Sequence, residues 1–307
     1  MKRNVNTIRK SKGDAIFDIV ITVLVILITL VMLYPLYFTV IASISDPVNV
    51  VHGNVVFYPV GFTLEAYENV IQESSIWVGY RNSFLYTVFG TLFNLALTLP
   101  CAFALSVHEL PGRKALNLVF IFVMYFSGGM IPTYLNIKNL GLINTPYTMV
   151  IIGGISIYNT IITRTYFENS IPGEIYESAS IDGASEFRQF FTMALPLAKP
   201  IIAVITLFYA VSHWNSYFDA YLYISKADYQ PLQLVLRSIL LMNQGATAAL
   251  DPDAMDVEMV AEMARRTYVA YSMKYALIFI ASAPLLAAYP FVQKHFVSGI
   301  MIGSVKG

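Results

Sequence analysis

Glu177, Asp182, Glu186 and Arg188 fall within one stretch, Ser170 to Pro200, that separates two long apolar runs. The stretch reads S-I-P-G-E-I-Y-E-S-A-S-I-D-G-A-S-E-F-R-Q-F-F-T-M-A-L-P-L-A-K-P and predicts two short helices with a tight break between them. Ser170 can cap the first helix, and Pro172 suits its opening turn, where a missing N–H costs nothing. Asp182-Gly183 is a stop signal, because glycine enters the left-handed conformation that ends a helix without a Cβ clash. The second helix places Phe187, Phe190, Phe191 and Ala194 at i, i+3, i+4 and i+7, so three rings share one face, and Leu195-Pro196 ends it. Such an apolar face suits docking to a partner, and packing of the phenylalanines on the chain's own apolar runs is the alternative.

A second set lies in the next apolar run, A-V-S-H-W-N-S-Y-F-D-A-Y-L-Y. Ser212, His213, Trp214, Asn215, Ser216, Tyr217, Asp219, Tyr221 and Tyr223 mix hydrogen-bonding groups with aromatic faces. That mixture suits a sugar, whose hydroxyls need donors and acceptors and whose C–H face stacks on rings. His213 and Tyr217 are four residues apart and, in a continuous helix, share a side. An interfacial aromatic belt is the simpler reading of Tyr221 and Tyr223. For His213, Trp214 and Asn215, sugar contact and packing between helices both remain open.

Other chemistries are missing. No G-x-x-x-x-G-K-[ST] phosphate loop is present, so the usual ATP site is absent. His52, His108, His213 and His295 are scattered without metal-ligand spacing, and there is no G-x-S-x-G elbow. No cofactor is expected on this chain. The net charge is zero, which gives no bulk attraction to nucleic acid. Cys101, the single cysteine, sits in an apolar run where packing is its expected role.

The elements that must position these residues are membrane helices. The chain is 57% hydrophobic and 12% charged, against about 25% charged in a soluble domain. Its apolar blocks are long enough to cross a bilayer, which takes about 20 residues each. Six spans are predicted: Ile16 to Ile44, Ser83 to Val107, Leu116 to Tyr134, Tyr147 to Thr163, Ile201 to Ile224 and Tyr275 to Val292. The third is weakened near its outer end by Ser127-Gly128-Gly129 and Pro132. Lys2, Arg3, Arg9, Lys10 and Lys12 precede the first span, and Arg113, Lys114, Arg164, Arg188, Lys199, Lys294 and Lys306 fall on the same side. Arg81, Lys138, Lys226, Arg237, Arg265, Arg266 and Lys274 fall opposite, so the positive excess places both termini in the cytoplasm. The long segment Ser225 to Lys274, with Asp251, Asp253, Asp256 and Glu258, is then external. Only His213 and Asp219 are ionisable well inside a span, too few for a proton relay.

The residues of the polar stretch also carry a resemblance. Glu177-Ser178-Ala179, Asp182-Gly183-Ala184, Phe190 and Leu195-Pro196 resemble the E-A-A-x-x-x-G loop and downstream L-P of the membrane subunits of binding-protein-dependent ABC importers; Ser178 replaces the usual alanine. F-S-G-G-M-I-P-T-Y-L, L-G-L-I-N-T-P-Y, H-W-N-S-Y-F-D-A, Y-Q-P-L-Q-L-V-L-R and F-V-S-G-I-M-I-G-S-V-K-G extend the likeness to the carbohydrate-uptake permeases, in the branch serving complex oligosaccharides and polysaccharide fragments.

The resemblance implies an all-α type I importer fold in the cell membrane, in contact with lipid. It also implies pairing with a second related permease, a separate ATPase dimer that holds ATP and magnesium, and an extracellular sugar-binding protein. It places the ATPase-coupling set at Glu177, Ser178, Ala179, Asp182, Gly183, Ala184, Phe187, Phe190, Phe191 and Pro196. The domains expected are a basic tail (1–14), a first span (15–44), an external segment (45–80), a permease core (81–293) and a cytoplasmic tail (294–307). An importer of the same design for a peptide or polyamine, and a membrane scaffold or sensor, are the alternatives.

Overall fold

The computed structural model describes residues 12–248 and 257–300. Lys2, Arg3, Arg9, Lys10, Asp251, Asp253, Asp256 and Lys306, which enter the topology expected from sequence, lie outside the described residues. Among the described residues the chain is helical, and its only strand-like pairing is one isolated bridge between Ser45 and Phe62.

The chain divides into two compact units. The first comprises residues up to Val70 together with Asn243–Phe279. It holds α1 (Lys12–Ser43), α2 (Pro47–Val51), most of α3 (Glu65–Gln72) and the first part of the last helix. At 1.5 Å per residue α1 is about 48 Å long, and its apolar side chains from Ile16 to Leu36 are exposed all round the axis. A helix that is apolar on every face requires lipid or protein around it. Its last turn packs Ile41 and Ala42 against Val50 and Val55, with Phe38 edge-on to Tyr275 at 5.5 Å.

The second unit comprises Ile71–Met242 and the residues from Ile280. It contains α4 (Ser74–Ser106), α5 (Arg113–Tyr125), α6 (Met130–Asn139), α7 (Pro146–Ile151) and α8 (Ile157–Ser170). The polar stretch follows as α9 (Gly173–Ile181), α10 (Glu186–Gln189), a π-helical turn (Phe190–Ala194) and α11 (Leu195–Leu197). Then come α12 (Lys199–Trp214), α13 (Tyr217–Tyr223), a 3-10 turn (Ala227–Tyr229) and α14 (Leu232–Ala248). The last helix, α15 (Val257–Ile300), belongs to the first unit up to Phe279 and to the second from Ile280.

Helix α4 is the hub of the second unit, with α7, α8 and α12 packed on it. Asn82, Tyr86, Asn94, Thr98 and Ala102 are buried at intervals of four and eight residues, with Gly90 filling the remaining place in the ladder. Intervals of four trace the ridge that helices interdigitate. The polar members of the ladder hold backbone elsewhere. Asn82 Nδ2 donates to the carbonyls of Asp228 (2.8 Å) and Gln230 (2.9 Å), and Tyr86 Oη donates to that of Tyr229 (2.8 Å). Asn94 Nδ2 donates to the carbonyls of Gly153 (3.0 Å) and Gly154 (2.9 Å). Each bond satisfies a carbonyl outside regular helix, which hydrocarbon could not do.

The break expected at Ser127-Gly128-Gly129 is present: α5 and α6 are separate helices bent by 110°, and Gly129 has φ of +91°. Two further spans are also broken, where continuous helices were expected. The fourth parts between α7 and α8 at residues 152–156, and the fifth parts at Asn215 and Ser216. α4 begins at Ser74, capped by the Glu73 carboxylate, nine residues before the expected start of the second span. By length and composition, three helices qualify as continuous membrane crossings: α1, α4 and the Thr267–Ala287 part of α15. Counting α5 with α6, and the Glu186–Leu197 run with α12, as bent single spans raises the number to five.

Candidate functional site

The stretch between Ser170 and Pro200 folds as two short helices, as its pattern predicts. The caps differ from expectation. Ser170 ends α8, and the residue preceding α9 is Pro172, which offers no side-chain cap. Ser185 caps α10, its hydroxyl accepting from the Arg188 N–H at 3.3 Å. Gly183 takes φ of +78° and follows the Asp182 cap, while the Ala184 N–H returns to the Ala179 carbonyl at 2.9 Å. Gln189 is buried and staples the two helices, donating through Nε2 to Ser180 Oγ (2.9 Å) and the Ala184 carbonyl (3.1 Å). The result is a bent, cross-braced pair of helices rather than a floppy loop.

The three-ring face is divided. Phe190 is 6% exposed and sits 5.2 Å from the Phe103 ring, in a core shared with Ala102, Phe167, Ile171 and Ala194. Phe187 and Phe191 remain 74% and 51% exposed, stacked obliquely at 4.7 Å. The π turn at Phe190–Ala194 lies where the expected i, i+3, i+4, i+7 register would have kept all three rings together. Glu177, Ser178, Asp182 and Pro196 are exposed, Ala184 is half-buried and Ala179 is buried. Glu177 forms no ion pair among the described residues.

Below this pair of helices, Glu168 in the last turn of α8 holds Arg113 and lies 3.6 Å from Arg164 Nε. Arg113 Nε also donates to the Leu105 carbonyl at 2.8 Å, and Arg164 bonds Asn117. The cluster ties the α4–α5 turn to the helix that leads into α9. A cavity of about 570 Å³ opens beside it, lined in part by Glu109, Glu168, Tyr176, Glu177 and Glu186. Burial pushes the Tyr176 phenol up to about 12, and among the described residues its hydroxyl has no hydrogen-bond partner.

The second candidate set does not act as one face. His213 and Tyr217 were expected to share a side of one helix, but α12 ends at Trp214 and the break separates them. His213 is buried, and its ring lies so close to Gly90 that a Cβ there would collide with it. Asn94 commits its NH2 to two carbonyls, so its Oδ1 faces His213 Nε2 at 2.6 Å and the imidazole donates. Trp214 is buried, its indole N–H bonded to the Ala281 carbonyl at 3.1 Å. Asn215 is exposed and returns its amide to the Val211 carbonyl, while Tyr217 stacks under Arg237 at 5.0 Å.

All three helix breaks line one cavity of about 450 Å³. Ser127 and Gly129 come from the first break, Ile152, Gly153 and Ser156 from the second, and Ser216 from the third. His213 lines it; Trp214, Asn215 and Tyr217 do not. Tyr209, also in the lining, accepts the Ser156 N–H at 3.1 Å, and its hydroxyl lies 2.6 Å from that of Thr98. Asn94, Asn159 and Tyr209 were not singled out from sequence. The four-residue spacing through Asn82, Tyr86, Gly90 and Asn94 was the available signal.

Apolar helices broken around a cavity that Asn94, Ser156, Asn159, Tyr209 and Asp219 help to line, with the carbonyls freed at Gly153 and Gly154 held by Asn94, are those of an integral membrane protein of the transport-permease class. Residues 74–302 match the family described as binding-protein-dependent transport system inner membrane component, and the chain belongs to it. Protein LplC of Bacillus subtilis (strain 168) is 37% identical over 99% of both chains. The polygalacturonan/rhamnogalacturonan transport system permease protein YtcP of the same organism is 36% identical, over 96% of this chain and 99% of its own. A chain from the crystal structure of a bacterial ABC transporter involved in the import of the acidic polysaccharide alginate superposes with a TM-score of 0.83. It is 34% identical, and the match covers 94% of this protein and 100% of that chain.

Proposed function

We propose that this chain is a permease subunit of an ATP-driven, binding-protein-dependent importer for an oligosaccharide or polysaccharide fragment. It spans the membrane six times with both termini in the cytoplasm and pairs with a second, related permease. A separate ATPase dimer docks on the Ser170–Pro200 stretch, and an external binding protein delivers the sugar. The 36% identical relative named for polygalacturonan/rhamnogalacturonan transport and the 34% identical chain of the alginate importer support the saccharide cargo.

The observation that carries the coupling role is the division of labour among the phenylalanines. Phe190 anchors the α9–α10 pair to the ends of α4 and α8, while Phe187, Phe191 and Glu177 stay exposed for a partner. A rigid pair fixed at one side and open at the other can pass motion from an ATPase to the spans. The carboxylates around the neighbouring cavity, Glu109, Glu177 and Glu186 among them, suit a basic segment on that partner. Gly183→Val, at a positive φ, and Glu177→Lys test the assignment. Both variants are expected to insert and to pair with the second permease, yet to lose ATPase association or sugar-stimulated hydrolysis. Normal transport by both would show that the stretch is not the coupling element.

A further inference from the structure

We propose, resting on the saccharide reading above, that the cavity at the helix breaks is a sugar subsite carried by this chain, where Asn159 and Tyr223 read the sugar hydroxyls. Most polar side chains of the lining are already engaged within the protein. Asn94 holds Gly153, Gly154 and His213, and Tyr209 holds Ser156 and Thr98. Thr133 donates to the Gly129 carbonyl at 2.9 Å, and Ser216 to that of His213 at 2.7 Å. Asn159 and Tyr223 are different. They are 5% and 3% exposed, both line the cavity, and neither side chain has a hydrogen bond among the described residues.

Buried polar groups are normally paired, so two without partners on one cavity call for a ligand that pairs them. The frame around both is fixed. Asn159 lies in the first turn of α8, its N–H held by Ser156 Oγ at 3.3 Å and its carbonyl by Thr163 Oγ1 at 2.7 Å. The Tyr223 ring is stacked on Tyr134 at 6.0 Å, and its carbonyl accepts the Asn144 N–H at 2.9 Å. Groups held in place this way bind with little ordering cost. The asparagine amide presents a donor and an acceptor side by side, which matches two adjacent hydroxyls of a pyranose, and the phenol gives or takes one bond more. Phe208 and Phe218 line the same cavity, 39% and 50% exposed, and can cover the C–H face of the ring. At about 450 Å³ the cavity is at the lower end of the ~300–1,000 Å³ usual for small-molecule sites, which suits the end of an oligosaccharide rather than a length of polymer. Burial also separates Tyr223 from Tyr221, which is exposed and keeps the position expected of an interfacial belt.

The test uses the complete importer in proteoliposomes, with trisaccharides of galacturonate, mannuronate, arabinose and galactose as probes. For a probe that the unaltered importer takes up, Asn159→Leu and Tyr223→Phe are each expected to lower uptake at least fivefold at saturating sugar-loaded binding protein. Asn159→Gln, which keeps a donor and an acceptor, is expected to retain more uptake than Asn159→Leu. Melting temperature and co-purification of the partner subunits are expected to stay unchanged in all three, because neither side chain bonds to the described protein. A diazirine-bearing form of the same probe, illuminated during turnover, is expected to crosslink within residues 152–159 or 216–223. Normal uptake by either Asn159→Leu or Tyr223→Phe, or crosslinks confined to other subunits, would overturn the inference and leave the saccharide reading intact. A lowered melt or lost assembly in either variant would make that residue structural and overturn it as well. Uptake of none of the sugars, or of an oligopeptide or polyamine alone, would remove the saccharide reading and the inference with it.

Discussion

Phe190 and Phe187 differ by three positions in sequence and by most of their surface in the fold. Phe190 is 6% exposed and packs on Phe103, Phe167 and Ala194, whereas Phe187 is 74% exposed. Truncating a buried phenylalanine to alanine costs about 3–5 kcal/mol, because the cavity left behind adds to the lost transfer energy. Phe190→Ala is therefore expected to lower the melting temperature of the purified subunit in detergent. Phe187→Ala is expected to leave the melt unchanged, within about 0.5 kcal/mol as for a surface site, and to weaken ATPase binding instead. Equal melting temperatures for the two variants would contradict the division of the aromatic face. Local pattern placed all three rings on one helical side; the π turn at Phe190–Ala194 and the pull of the core beneath separated them.

Helix α4 acts as a rail of side-chain donors for backbone that its neighbours leave unpaired. Asn94 alone holds the carbonyls of Gly153 and Gly154 and the His213 ring. Interhelical polar contacts in membranes average only about 0.6 kcal/mol when both partners are side chains with alternatives. Carbonyls at a break have fewer alternatives, and leaving a buried one unpaired costs about 1–3 kcal/mol. Asn94→Leu is thus expected to destabilise the subunit more than Asn136→Leu, a change at an exposed asparagine of α6. The measurement is thermal unfolding in detergent, and no difference between the two would show that the breaks stand without α4. Gly90 belongs to the same account: His213 occupies the space where its Cβ would be, so α4 and α12 approach there only through glycine.

Across the whole molecule, the family match and the apolar helices make this chain a membrane component, and its orientation is a proposal that basic residues supply. Single cysteines placed at Arg113, Arg188 and Lys138 in a Cys101→Ser background test it. An impermeant thiol reagent applied to intact cells is expected to label position 138 and to spare 113 and 188. Labelling at 188 from outside would reverse the orientation and remove the proposed ATPase site from the cytoplasm.

Sequence alone determined whatever depends on neighbours a few residues away or on bulk composition. Apolar length marked a membrane chain. Asp182-Gly183 marked the bend, since a positive φ is a property of glycine itself, and Gly129 did the same for the break between α5 and α6. The loop motif identified the family that residues 74–302 match. Tertiary structure decided everything that depends on a distant partner. Gly153-Gly154 in an apolar run can be helix or break, and the choice falls to Asn94, which supplies the hydrogen bonds that lipid cannot. The break at Asn215 and Ser216 contains neither glycine nor proline, so no local signal announced it. His213 and Trp214 look alike as polar aromatics in one span; the fold turns one toward the cavity and the other onto Ala281, because each buried N–H must find an acceptor and the two acceptors lie on different helices.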